Sequence, residues 1–129
     1  MVRRIADIAI KHDLIVISDE IYEKLIYEGN EHLSIATLPG MRERTITLNG
    51  FSKAYAMTGW RVGYLAAPKA FTRQLLEPRH TLSINSCTPS QYAALAALTG
   101  PQEPVHDMVR QYDDRRRFMM AALDEMGLS

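Results

Sequence analysis

Three short strand candidates, each too brief for a helix and each closed by polar or turn-forming residues, constrain this chain more than any other feature. The first, Leu14-Ile15-Val16-Ile17, is apolar throughout and ends at Ser18-Asp19. Being uniform rather than alternating, it is predicted to be a strand covered by helices on both faces. The second, Thr45-Ile46-Thr47-Leu48, follows Pro39-Gly40 and the charged turn Arg42-Glu43-Arg44, and ends at Asn49-Gly50. The third runs from Val62 to Ala67 and stops at Pro68, a residue suited to the first position of a helix.

Helical periodicity fills the intervals. Val2, Ile5, Ala6 and Ala9 share one face of a helix that ends near His12-Asp13. No capping side chain precedes it, as expected if it is the second half of a longer element. Pro68 opens a helix that Pro78 is predicted to kink or end. Thr88-Pro89-Ser90-Gln91 reads as a capping box opening a helix to about Thr99-Gly100. Beyond Pro104, apolar residues from Val105 and Tyr112 to Met126 mark one face of a long helix that Gly127 terminates. Strands alternating with helices predict an α/β layer with a largely parallel sheet.

Composition removes several functions. The 15 basic and 15 acidic side chains cancel, leaving no field for nucleic acid or an anionic membrane. Arg115-Arg116-Arg117 follows Asp113-Asp114 on one predicted helix and is expected to be a solvated face. No apolar run approaches membrane-spanning length, and Met1-Val2-Arg3-Arg4-Ile5 lacks the pattern of a signal peptide. A single cysteine, Cys87, excludes an internal disulfide framework and suits the reducing cytoplasm. The four histidines show no ligand spacing, so no metal is assigned, and the methionines are expected to serve packing.

The chemistry concentrates in Gly50-Phe51-Ser52-Lys53-Ala54-Tyr55-Ala56-Met57-Thr58-Gly59-Trp60-Arg61-Val62-Gly63. Asn49-Gly50 is a hairpin signal, but Phe51 to Tyr55 alternates poorly as a partner strand, so a functional loop is predicted. An imine-forming lysine must be unprotonated when it attacks, a condition that burial or a nearby cation creates. Arg61 supplies the cation, and its forked guanidinium also suits a phosphate dianion, to which the Ser52 hydroxyl can donate a further hydrogen bond. Lys53 beside such a phosphate anchor implies pyridoxal phosphate. Asp19 ends the first strand and supplies a carboxylate for the pyridine nitrogen. A short helix after it would bring Tyr22 to the same face, with its phenol near the cofactor's ring oxygen. Singly, each residue has a plainer reading: Lys53 as a solvated loop residue, Asp19 as a helix cap, Tyr22 as amphipathic packing, Arg61 as a surface cation. Their joint order and spacing favour the site.

Ser18-Asp19-Glu20-Ile21-Tyr22 followed by the Gly50 to Gly63 segment resembles the class I/II aminotransferases of the fold type I group, and the resemblance covers essentially the whole chain. The wording around Lys53 is similar to the bacterial branch that includes aspartate and aromatic aminotransferases. The resemblance implies the later part of the pyridoxal-phosphate-binding large domain over residues 1–100, a mostly parallel sheet flanked by helices. Residues 101–129 would be the long helix leading toward the small domain. It implies that Lys53 holds the cofactor as an imine and shuttles the proton at the substrate's alpha carbon. Asp19 would pair with the pyridine nitrogen, Tyr22 with the ring oxygen, and Arg61 with the phosphate, helped by Ser52. Gly50 stands where some members carry a phosphate-binding serine, so that contact is missing or made by backbone.

The implied reaction moves an amino group between an amino acid and a 2-oxo acid, in a cytoplasmic homodimer. The family's phosphate loop, its cofactor-stacking aromatic residue, its asparagine-bearing segment and the arginine for the substrate carboxylate are not within this sequence. Alternatives are another fold type I enzyme of the same cofactor, such as a lyase or decarboxylase; a ligand-sensing domain of a transcription regulator; or a noncatalytic dimerisation partner.

Overall fold

The computed structural model describes residues 1–128. Its first helix, α1 (Val2–Lys11), buries Ala6 and Ala9 of the stripe that the apolar spacing predicts, while Ile5, expected on the same face, is 46% exposed. Ile35, Leu38 and Met41 meet this stripe from a short 3-10 turn and the segment after it. Val2 and Val16 pack against the same cluster. Met41 is its centre, with no exposed surface.

Three strands, β1 (Val16–Asp19), β2 (Thr45–Gly50) and β3 (Gly63–Ala66), form one sheet in that order. β1 and β2 run parallel, with Val16 opposite Thr45 and Asp19 opposite Leu48. β3 returns antiparallel, with Gly50 opposite Gly63 and Thr47 opposite Ala66. The sheet is therefore mixed. The segment between β2 and β3 holds only one 3-10 turn, Thr58–Trp60, and no helix to carry the chain across for a parallel return. β1 begins two residues later than its apolar run does, because the Leu14 N–H still closes α1 by donating to the Ala9 carbonyl at 2.8 Å. The first partner across the sheet is the Arg44 carbonyl, 2.9 Å from the Val16 nitrogen. Nor is β1 covered on both faces, since Ile17 is 67% exposed opposite the face that packs on α1.

The remaining helices are α2 (Lys69–Leu82), α3 (Thr88–Thr99) and α4 (Glu103–Glu125). Pro78 lies inside α2 and does not end it. It removes one hydrogen bond, to the Gln74 carbonyl, and in a helix with no buried residue that carbonyl is open to solvent. α3 starts where the sequence predicts, but not through a capping box: Cys87 occupies the cap position, and the Gln91 amide instead donates to the Ser86 carbonyl at 2.8 Å. α4 ends as predicted, Gly127 taking a left-handed conformation and the Leu128 N–H donating to the Leu123 carbonyl.

Two packing expectations for α4 change. Met119, Met120 and Met126, in the later turns of α4 and just past its end, are exposed, whereas Val105 near its start is buried. Arg116 is not on a solvated face: its guanidinium donates to Glu28 at 2.7 Å and lies 5.2 Å from the centre of the Tyr27 ring. Residue 129, the last of the segment expected to form this helix, lies outside the described residues. Among the described residues no helix is long and apolar enough to cross a membrane.

Because Met41 fills the apolar cluster that joins α1 to the sheet, Met41→Ala should lower unfolding free energy by about 2–4 kcal/mol in urea titrations. A loss below about 1 kcal/mol would mean that this cluster does not govern the cooperative unit.

Candidate active site

The parallel pairing of β1 and β2 brings two strand ends to one side. Past Asp19 the pairing continues for one more hydrogen bond, from the Glu20 N–H to the Leu48 carbonyl at 2.9 Å. The Asp19 carboxylate then accepts the Ile21 N–H at 3.2 Å, turning the chain. Successive turns follow, closed by the Glu23 N–H on the Glu20 carbonyl and the Leu25 N–H on the Tyr22 carbonyl. This is not the short helix expected from the sequence, yet it brings Tyr22 to the lysine: Lys53 Nζ lies 5.7 Å from the centre of the Tyr22 ring. At that range the ring's negative face attracts a cation.

The loop after β2 is folded around Phe51. Phe51 and Ala54 are buried, and the Phe51 ring stands 5.6 Å from Tyr55 and 6.0 Å from Tyr64. The N–H groups of Tyr55 and Met57 both donate to the Phe51 carbonyl. Ser52 and Lys53 are thus held half-buried between two anchored residues. Ala56 and Arg61 adopt left-handed backbone, at φ 53° and 48°, which side chains other than glycine, asparagine and aspartate rarely do. Arg61 is turned back so that its guanidinium donates to the Thr58 carbonyl at 2.8 Å.

Gly50 and Gly63 face each other at the base of this loop. A Cβ on Gly50 would lie 3.2 Å from the Gly63 Cα and 3.3 Å from the Ile21 side chain, and one on Gly63 would lie 2.9 Å from the Asn49 carbonyl oxygen. Glycine at position 50 is explained by this close backbone approach.

A cleft of about 700 Å³ opens beside the loop, lined by Tyr22, Tyr27, Ser52, Lys53, Thr58 and Tyr112 among others. It unites three of the predicted residues: Tyr22, Ser52 and Lys53. Asp19 and Arg61 are not in its lining; Asp19 stands at the end of β1, and Arg61 lies behind Thr58. Tyr112 reaches the cleft from α4 although its spacing reads only as part of an apolar helix face. Two other hollows, of about 740 and 860 Å³, lie along the sheet and β3 and include none of the predicted residues.

Behind the strand end is a group that the sequence pattern left unmarked. Glu20 is 7% exposed, and its Oε1 accepts hydrogen bonds from the Ser18 hydroxyl at 3.0 Å and the Ser34 hydroxyl at 2.7 Å. Its Oε2 lies 2.9 Å from His32 Nε2. An ionised carboxylate only accepts, so His32 carries its proton on Nε2. Burial pushes the Glu20 carboxyl upward, but the hydrogen bonds from His32, Ser34 and Ser18 and the charge of His32 together outweigh it, and the net shift is below the usual 4.5. Glu23 also approaches, and Glu20, Glu23 and His32 each offer an atom within 4.8 Å of the others.

A lysine, a hydroxyl and a phenol line one cleft beyond the carboxyl ends of the parallel strands, the place where α/β sheets commonly take small ligands. All of residues 1–129 match the family of class I and II aminotransferases, and the chain belongs to that family. It is 49% identical over 126 residues to the aspartate aminotransferase of Pyrococcus abyssi, covering 96% of this chain and 32% of that protein. It is 47% identical over 126 residues to aromatic-amino-acid aminotransferase 2 of Thermococcus litoralis, with the same coverage. Among solved structures, the aromatic aminotransferase of Pyrococcus horikoshii matches with a TM-score of 0.95 at 47% identity, over 99% of this chain and 35% of that one. The chain therefore spans about a third of the length of the relatives it matches.

The depressed Glu20 pKa fixes the sign of an acid effect. Ionised Glu20 stabilises the fold above the unfolded value near 4.5, and the contribution is lost as pH falls through the lower folded value. Denaturation of the wild type and Glu20→Gln across pH 7 to 3 should show a wild-type advantage that is full at neutral pH and shrinks in the acid range. An advantage independent of pH would contradict the ionised state assigned here.

Proposed function

We propose that this chain is the lysine-bearing part of a pyridoxal-phosphate-dependent aminotransferase that moves an amino group between an amino acid and a 2-oxo acid. The observation that carries this reading is the convergence of Lys53, Ser52 and Tyr22 on one cleft in a chain of this family. The donor set suits the cofactor: an amine half-buried beside a phenol, a hydroxyl next to it, and a guanidinium one 3-10 turn away. When bound, pyridoxal phosphate supplies an electron sink for the substrate's alpha carbon and a carrier for its amino group.

Each residue's part follows from its chemistry. Lys53 would hold the cofactor through Nζ, and the same amine would move the proton at the substrate's alpha carbon. Asp19 would keep the pyridine nitrogen protonated, and Tyr22 would donate to the ring oxygen. Ser52 would donate to the phosphate, and Arg61, whose guanidinium bonds the Thr58 carbonyl, would pair with it. Residues 1–100 form part of the cofactor domain, and α4 (Glu103–Glu125) leads toward a second domain. We further propose a homodimer, and the lone exposed thiol of Cys87 favours the reducing cytoplasm.

Titrating the chain with pyridoxal phosphate should give a saturable visible band that Lys53→Ala abolishes. Arg61→Ala should keep the band but weaken binding roughly tenfold or more, the scale of a hydrogen bond to a charged group. A band of equal size in Lys53→Ala would assign the absorbance to other lysines and defeat the reading.

A further inference from the structure

Glu20 is a carboxylate that the proposed chemistry does not use, buried at a strand end where an apolar residue would cost less. Three side chains from two segments bond it: Ser18 on its own strand, and His32 and Ser34 from a loop up to fourteen residues away. Successive side chains of a strand alternate between faces, so Ser18 and Glu20 point to one side of β1 and Asp19 to the other. The burial along the chain follows this alternation, Ser18 and Glu20 turned inward and Asp19 outward. Anchoring the inward pair therefore fixes the direction of Asp19. The Glu20 backbone adds to this: its N–H continues the pairing to Leu48, and its carbonyl receives the Glu23 N–H that closes the turn bearing Tyr22.

We propose that Glu20, clamped by Ser18, His32 and Ser34, is a positioning residue that holds Asp19 and Tyr22 toward the Lys53 side of the strand ends. This rests on the reading of Lys53 as the cofactor lysine. Glu20 itself touches no reacting atom; it acts through the carboxylate of Asp19 and the phenol of Tyr22.

The test has two arms on the same chain. In the first, pyridoxal phosphate affinity is measured from the Lys53-dependent band for Glu20→Gln, Asp19→Asn and the double variant. Action through Asp19 predicts that Glu20→Gln weakens binding roughly tenfold in the wild-type background and less than about threefold beside Asp19→Asn. In the second, which needs no cofactor, hydrogen exchange at the Ile21 amide reads whether Asp19 keeps its orientation, since that amide is bonded to the Asp19 carboxylate. Exchange should accelerate roughly threefold or more in Glu20→Gln, beyond any change in global stability measured alongside. Ser34→Ala, which leaves the carboxylate in place and removes one donor, serves if Glu20→Gln does not fold, and should shift both readouts in the same direction. Equal losses of affinity in both backgrounds, or an unchanged Ile21 amide, overturn the proposal and leave Glu20 a stabilising residue only. Absence of a Lys53-dependent band in the wild type defeats the cofactor reading instead, and the exchange arm then decides by itself whether Glu20 orients Asp19.

Discussion

The register of β1 against β2 determines where every candidate group stands. With Asp19 opposite Leu48, the two parallel strands finish within a few residues of each other, and the bond from Glu20 to the Leu48 carbonyl carries the alignment past the strand itself. A slip by one residue would exchange the faces of β1, exposing Ser18 and Glu20 and burying Asp19. The inward contacts of Glu20 with His32 and Ser34 oppose that slip, because they are available in only one of the two arrangements.

Burying charge to secure direction is a different strategy from packing hydrocarbon. The cluster around Met41 holds α1 to the sheet without specifying where a particular carboxylate points. The Glu20 network contributes less through the strength of its hydrogen bonds than through their directionality, since each acceptor oxygen is already committed. The two devices lie at opposite ends of β1, Val16 against the apolar cluster and Glu20 at the polar end.

Much of this was legible in the sequence. The three apolar runs gave the strands to within a few residues, and the order of Asp19, Tyr22, Ser52, Lys53 and Arg61 gave the family. What sequence pattern lacked was contact between distant residues. Glu20 reads as one more polar residue after a strand, and only its pairing with Ser18 at alternate positions hinted at a shared face. The antiparallel return of β3 was equally hidden, because an apolar run carries no direction; the missing crossover helix decides it. Exposure of Ile17 and of the α4 methionines accompanies a chain about a third as long as its relatives, while burial predictions assume that all of a domain's surfaces are at hand.

The Gly50–Gly63 contact makes the lysine-bearing segment a closed ring of backbone, with both ends fastened to neighbouring strands. Chain entropy for bringing those ends together is paid by the sheet, and it grows only slowly with length, about 0.6 kcal/mol for each doubling. The apex can therefore change in length at small thermodynamic cost. At the two-glycine base a methyl group on Gly63 would meet the Asn49 carbonyl oxygen at 2.9 Å, and one on Gly50 would need the Gly63 backbone and the Ile21 side chain to give slightly, so tolerance to change should rise with distance from it.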